Sequence, residues 1–162
     1  MNQAAVDFYL TEHARLKPAA DIPWLSEQQQ AAADIFSETG FPTRRHEDWK
    51  YTDVSPILER NFSPREPVEP DAGALLALGK AALPVLGCRQ LVFINGRFAA
   101  QPSIMKPAEQ GELITSLANA LQDNAEQLRP WLNRLNNPRK NAFTALNTLF
   151  IRDGAVILIP DN

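Results

Sequence analysis

The 162-residue chain has a single cysteine, Cys88, and only two histidines, His13 and His46. One thiol excludes an intrachain disulfide, a CxxC pair and a self-contained zinc-finger or cluster site, which needs about four ligands. Positive charge is also in short supply: Lys and Arg number 16 against 19 Asp and Glu, giving a formal net charge of -3 and a pI near 5.4. That balance argues against a broadly basic nucleic-acid surface, because sequence-independent affinity rests on several phosphate contacts from Lys and Arg; only a local patch, Arg44, Arg45 and Lys50, stands out. Long hydrophobic runs are absent. The richest stretches, Leu75 to Leu86 and Ala155 to Ile159, fall far short of the ~20 residues that cross a bilayer, so no membrane helix is expected. The opening MNQAAVDFYLTEHARLK has no basic start followed by an apolar run, so it is not a signal peptide and a cytoplasmic location is expected. Neither GxxxxGK[ST] nor GxGxxG occurs, which excludes ATP binding by a Walker motif.

What is present is enough to build a core, since 44% of residues are hydrophobic. Residues 1–60 read as helical. Val6, Leu10, His13 and Leu16 recur at three- and four-residue spacing, with Pro18 ending the pattern. A second helix follows Pro23 and Trp24, with Ser26 as a candidate N-cap, Ala32, Ile35, Phe36 and Gln28 on its inner stripe, and Gly40 as its stop. Asp53 or Ser55 can cap a short helix through Leu58. Residues 61–71, NFSPREPVEPD, read as an exposed Pro-rich connector.

Residues 72–153 read as a small α/β region. Ala72 to Leu83 suits a helix stopped by Pro84; RQLVFINGRFAA predicts a hairpin with Gln90 to Ile94 paired to Arg97 to Ala99, because Asn95-Gly96 accepts the positive φ angles of a type I′ turn. Glu112 to Thr115 would extend that sheet. Ser116 would cap a helix with Leu117, Ala120 and Leu121, and Asn124 would cap another with Leu128, Trp131, Leu132 and Leu135, placing Trp131 in the core. NAFTALNTLF reads as a helix directing Phe143, Leu146, Leu149 and Phe150 inward, and Ala155 to Ile159 as an apolar strand. Such a strand needs cover on both faces and a paired edge. It either folds back onto the hairpin or opens a sheet that continues past Asn162, and a bare edge there offers self-association.

The densest chemistry lies in Phe41 to Thr52, FPTRRHEDWKYT, directly after Gly40. Arg44, Arg45, His46, Glu47, Asp48, Trp49, Lys50 and Tyr51 must satisfy one another or meet a partner. One reading has the charges interlocking as ion pairs around the two aromatics. The other is a docking surface, for which Trp, Tyr and Arg are the favoured residue types. His46 beside Glu47 and Asp48 invites a metal or general base, yet adjacent side chains rarely aim at one atom and His13 has no carboxylate at zinc-motif spacing. Cys88 reads as a buried, inert thiol. No nucleophile, base and orienting group can be assembled, so no enzyme is expected.

The blocks GFPTRRHEDWKYT, LVFINGRF and NAFTALNTLFIRDGAVILIP, in this order, resemble the amino-terminal region of the SufB/SufD family of the SUF iron–sulfur cluster assembly system, with wording closer to its SufD branch. The resemblance implies an α/β (α+β) fold: an N-terminal helical region, a small β-hairpin or sheet with further helices, and, over residues 154–162, the first strand of a truncated right-handed parallel β-helix. It also implies a scaffold that works with SufB-like and SufC-like proteins, ATP being bound by the SufC partner and the iron–sulfur cluster being built on parts of the family sequence beyond this chain. No cofactor is therefore expected in these residues. The competing expectation is a free-standing interaction module that recruits a cysteine desulfurase or sulfur carrier.

Overall fold

A computed structural model describes residues 3–16, 21–64, 70–81, 88–101, 103–106 and 109–160. The chain is mixed α/β, as expected. Its elements are α1 (Gln3–Arg15), α2 (Pro23–Thr39), a 3-10 turn (Glu47–Trp49), α3 (Ser55–Leu58), α4 (Ala72–Ala81), β1 (Phe93–Ile94), β2 (Arg97–Phe98), β3 (Leu113–Ser116), α5 (Leu117–Asp123), α6 (Ala125–Leu128), α7 (Ala142–Leu149) and β4 (Ala155–Leu158). They group into two compact units, Met1–Pro64 with Glu126–Ile151, and Arg65–Ala125 with Arg152–Asn162.

In the first unit, α2 and α7 share one hydrophobic cluster with α1. Phe36 and Leu149 are fully buried within it, joined by Val6, Tyr9, Ala32, Ile35, Phe41 and Ala145. Removing a side chain such as Phe36 from water contributes about 1.5–3 kcal/mol. The α2 start differs from expectation. Ile22, in an extended conformation, is the N-cap and Pro23 occupies the first turn, so Ser26 lies inside the helix with its N–H already bonded to the Ile22 carbonyl at 3.1 Å. Proline loses nothing there, because a first-turn N–H has no intrahelical acceptor. At the other end Gly40 takes φ 61° and closes α2 by donating to Phe36 O at 2.9 Å, a backbone angle that a residue with a Cβ resists. Gln29 supplies a link that helical periodicity hides. Its amide donates to the carbonyls of Leu149 and Ile151 at 3.3 and 3.1 Å, satisfying acceptors at the end of α7.

The expected helix from Asn124 to Leu135 is corrected. It ends as α6 at Leu128, two residues before Pro130, whose ring disfavours a helical residue ahead of it and removes a donor. Trp131 is therefore 62% exposed and Leu135 96% exposed, not core. In α7 the inward side is made by Ala142, Ala145, Thr148 and Leu149, with Phe143, Leu146 and Phe150 half-buried against the cluster. Asn141 caps it by accepting the Phe143 N–H at 2.9 Å.

The second unit contains the Asn95-Gly96 hairpin, with φ 52° and 75° at the two turn residues as a type I′ turn requires. Its strands are shorter than expected: Phe93 pairs with Phe98 and Ile94 with Arg97, while Gln90 instead bridges to Ile104. The strand near Glu112 does not extend this sheet. β3 pairs antiparallel with β4, in register Leu113 to Leu158 through Ser116 to Ala155. So the terminal apolar strand folds back onto β3 and not onto the hairpin, with Val156 buried and Ile157 exposed. A single antiparallel strand carries no β-helix on its own. Ser116 caps α5 as predicted, its hydroxyl accepting the Asn119 N–H at 3.1 Å. The Pro18 and Pro84 stops, and the connector over residues 65–69, lie outside the described residues.

Asp153 is the unit's fastener. Its carboxylate accepts the N–H groups of Phe98 (2.7 Å), Gly154 (2.9 Å) and Ala118 (3.1 Å), joining the hairpin, the entry to β4 and the first turn of α5. Hydrogen bonds to an ionised acceptor are worth about 1.5–3 kcal/mol each, non-additively. Asp153→Ala is expected to destabilise this unit by about 3 kcal/mol, visible as faster amide hydrogen exchange at Phe98 and Ala118, with exchange in α2 and α7 unchanged.

Candidate functional site

The dense block belongs to the first unit and begins at Phe41, a 2% exposed ring at the exit of α2. From there the chain turns outward: the His46 N–H donates to Thr43 O at 2.9 Å, and the Trp49 N–H to His46 O at 2.9 Å, which winds the 3-10 turn. His46 is exposed, and its Nδ1 accepts the Thr43 N–H at 3.0 Å. That bond fixes the ring as a local brace. Among the described residues no group of three or more His, Cys, Asp and Glu side chains is placed to hold a metal ion.

The aromatics divide sharply. Trp49 is half-buried, its ring 5.3 Å from that of Phe143 on α7 and tilted by 39°. Phe143 in turn stands edge-on to Phe41 at 5.6 Å. Tyr51 is 91% exposed and, among the described residues, its ring meets only the Lys50 ammonium, 5.5 Å from its centroid, a solvent-facing cation–π contact of about 0.5–1 kcal/mol.

Among the described residues, the interlocking ion pairs of the first of the two readings are not formed. Arg44 reaches outside the block to Asp53 at 3.3 Å, whereas Arg45, Glu47, Asp48 and Lys50 take part in no ion pair among the described residues. The N–H of Ser55, then its hydroxyl, and lastly the Arg44 guanidinium hold the Asp53 carboxyl below the usual carboxylate range. The expected cap is corrected: Val54, not Asp53 or Ser55, is the N-cap of α3 and has no side-chain cap bond, while Asp53 accepts the Ser55 N–H at 3.0 Å just ahead of the helix. The block instead borders a cleft of about 390 Å³ with the end of α2 on one side and Arg139, Lys140 and Asn141, just ahead of α7, on the other. Sequence reasoning missed Arg139 and Lys140. Their only signal was the placement of two adjacent cations immediately before the Asn141 cap.

The remaining candidates lie outside the block in sequence. His13, on α1, packs edge-on to Phe150 at 5.8 Å, and this partial burial lowers its pKa below the usual 6.5. Cys88 is half-buried in the second unit.

Taken together, these features define a small mixed α/β module that presents a charged, aromatic surface on a packed helical base. The family model for the SufBD protein N-terminal region matches residues 1–162, and the chain belongs to that family. An iron-sulfur cluster assembly SufBD family protein of Synechocystis sp. is 30% identical over 138 residues, covering 85% of this chain and 30% of the relative. The iron-sulfur cluster assembly protein SufD of Escherichia coli is 35% identical over 74 residues, 45% of this chain and 16% of the relative. The chain thus spans a third or less of the length of these curated relatives. No solved structure matches it.

Two outcomes follow. Trp49→Ala is expected to destabilise the first unit by about 1–2 kcal/mol, while Tyr51→Ala stays within about 0.5 kcal/mol of wild type in urea unfolding. For His13, folding favours the neutral ring, so its contribution is intact above the unfolded pKa of about 6.5 and is lost as pH falls through the lowered folded value. His13→Leu is expected to flatten the decline in stability between about pH 7 and pH 5.

Proposed function

We propose that this chain is the partner-docking N-terminal domain of a SufBD-type scaffold acting in cytoplasmic iron–sulfur cluster assembly, and that Arg44 to Tyr51 is its docking surface. The domain catalyses no reaction itself. SufB-like and SufC-like proteins are its partners within the scaffold complex, the SufC-like subunit binds ATP, and the cluster is the cargo being built.

One observation carries this reading. Arg45, Glu47, Asp48, Lys50 and Tyr51 are exposed and, among the described residues, unspent in ion pairs, yet they flank Trp49, which rests on half-buried Phe143, itself edge-on to buried Phe41. A solvated charge run has no need of that support. An interface does, because ordering costs of roughly 0.5–1.5 kcal/mol per side chain are lowered when the backbone is already held. The same family membership and the names of the relatives supply the cluster-assembly context.

The test is a pull-down of the chain and of Arg45→Ala and Tyr51→Ala against purified SufB, SufC and SUF desulfurase, after circular dichroism has confirmed folding. Retention of SufB or SufC, weakened about 5- to 30-fold by either substitution, is expected. Equal retention of wild type and variants would remove the block from the interface, and retention of the desulfurase alone would make the domain a recruiter of the sulfur donor.

A further inference from the structure

A second surface lies on the first unit, in a segment whose first part, up to Leu135, the sequence assigns wrongly to a helix. Residues 129–140 read RPWLNRLNNPRK: four cations and no carboxylate, the nearest acids along the chain being Glu126 and Asp153. In a protein of net charge -3 this is a local reversal of sign. Two of the cations meet acids weakly. Arg129 lies 3.6 Å from Glu126 and Arg139 3.5 Å from Glu38, all four side chains more than half exposed, where such pairs contribute little. Arg134 and Lys140 are exposed and take part in no ion pair among the described residues.

Amid these cations stand Trp131 and Leu135, both large, apolar and in water. Their exposure does not come from a loose backbone. The N–H groups of Trp131 and Leu132 both donate to Leu128 O, at 2.9 and 3.0 Å, and that of Arg134 to Trp131 O at 3.3 Å. Asn133 holds a left-handed φ of 60° because its side chain is clamped from two helices: its amide donates to Gln28 Oε1 on α2 at 2.8 Å, and its oxygen accepts the hydroxyl of buried Thr148 on α7 at 3.1 Å. Anchored between these helices through Asn133, the backbone that carries Trp131 is held in place, and both Trp131 and Leu135 are left in water.

We infer that residues 129–140 form a docking surface for an acidic protein segment carrying a large apolar side chain. The carboxylates answer Arg129, Arg134 and Lys140, and the apolar residue covers Trp131 and Leu135. Charge complementarity steers such a segment and fixes its register, and Trp and Arg are the residue types that concentrate binding energy at interfaces. A nucleic acid fits less well: it answers the cations and can stack on Trp131, but it leaves Leu135 uncovered and meets the repulsion of a net acidic chain. The inference rests on Trp131, Leu135, Arg129 and Arg134, none of which lines the cleft beside the Arg44 to Tyr51 block, although Lys140 does.

A random peptide display library panned on the immobilised full chain tests it, with a Trp131→Ser/Leu135→Ser double variant, shown to be folded by circular dichroism, for comparison. Expected are peptides rich in Asp and Glu around one Trp, Phe, Leu or Ile. Their affinity should fall roughly tenfold or more on the double variant, several-fold on Arg129→Gln/Arg134→Gln, and further as salt rises. Arg45→Ala and Tyr51→Ala should leave it unchanged, so failure at the block and failure here read out separately. Recovery of peptides without acidic enrichment, equal binding to the double variant, no recovery above an unrelated control protein, or tighter binding of a labelled oligo-dT than of any peptide would each overturn the inference.

Discussion

The arrangement of the first unit turns on one side chain, Phe41. Its ring meets Phe36 at 5.1 Å, Tyr9 at 5.6 Å and Phe143 at 5.6 Å, each in an edge-type geometry, so three helices converge on a residue that lies in none of them. Edge-to-face contacts add about 0.5–1.5 kcal/mol each beyond burial and constrain direction as well as distance. Gly40 makes this reachable: at φ 61° the chain leaves α2 and folds Phe41 straight back into the core. Everything from Thr43 to Thr52 then starts from a fixed point, and Trp49 returns to the same stack through Phe143.

The protein treats its polar groups in two ways, and the contrast bears on function. In the second unit carboxylates are consumed by structure. Asp153 takes three backbone N–H groups, and Glu112 takes the Glu109 N–H at 2.9 Å and the Arg89 guanidinium at 2.8 Å with both side chains largely shielded; together these hold the Glu112 carboxyl below its usual range. In the Arg44 to Tyr51 block, charges of both signs sit within a few residues and still leave one another alone. Exposed charges gain little from pairing, so these side chains stay solvated and open to a partner.

Local chemistry was legible and long-range pairing was not. Gly40 as a stop, Ser116 as a cap and Asn95-Gly96 as a turn each act through one or two backbone groups, so the residue type alone announces the geometry. β3 was recognisable as a strand, but its choice of β4 over the hairpin depends on a partner about forty residues away and on Asp153, which no pattern marks. The helix through Trp131 failed for a different reason. Leu128, Trp131 and Leu135 have a convincing helical period, and one proline at position 130 outweighs it, since helix propensity is lost there by about 3 kcal/mol. At the site the composition of the block was readable, whereas the stacking of Trp49 on Phe143 and the approach of Arg139 and Lys140 come from tertiary packing of α7.

That approach also joins the two surfaces of the first unit. Arg139 and Lys140 line the same cleft as His46, Glu47, Asp48 and Trp49, and they are the last residues of the basic segment that carries Trp131. The block is mixed in charge, and its acids face this cleft together with the two cations; the segment beyond is purely basic. A partner lying across both would therefore need opposite electrostatic patterns at its two ends, basic or mixed against Glu47 and Asp48, acidic against Arg134 and Lys140. Such a gradient discriminates orientation, because a reversed partner sets like charges against each other at both ends. Arg139 and Lys140 thus tie the end of the basic segment to the block's cleft, a link between two stretches far apart by number that only the tertiary structure reveals.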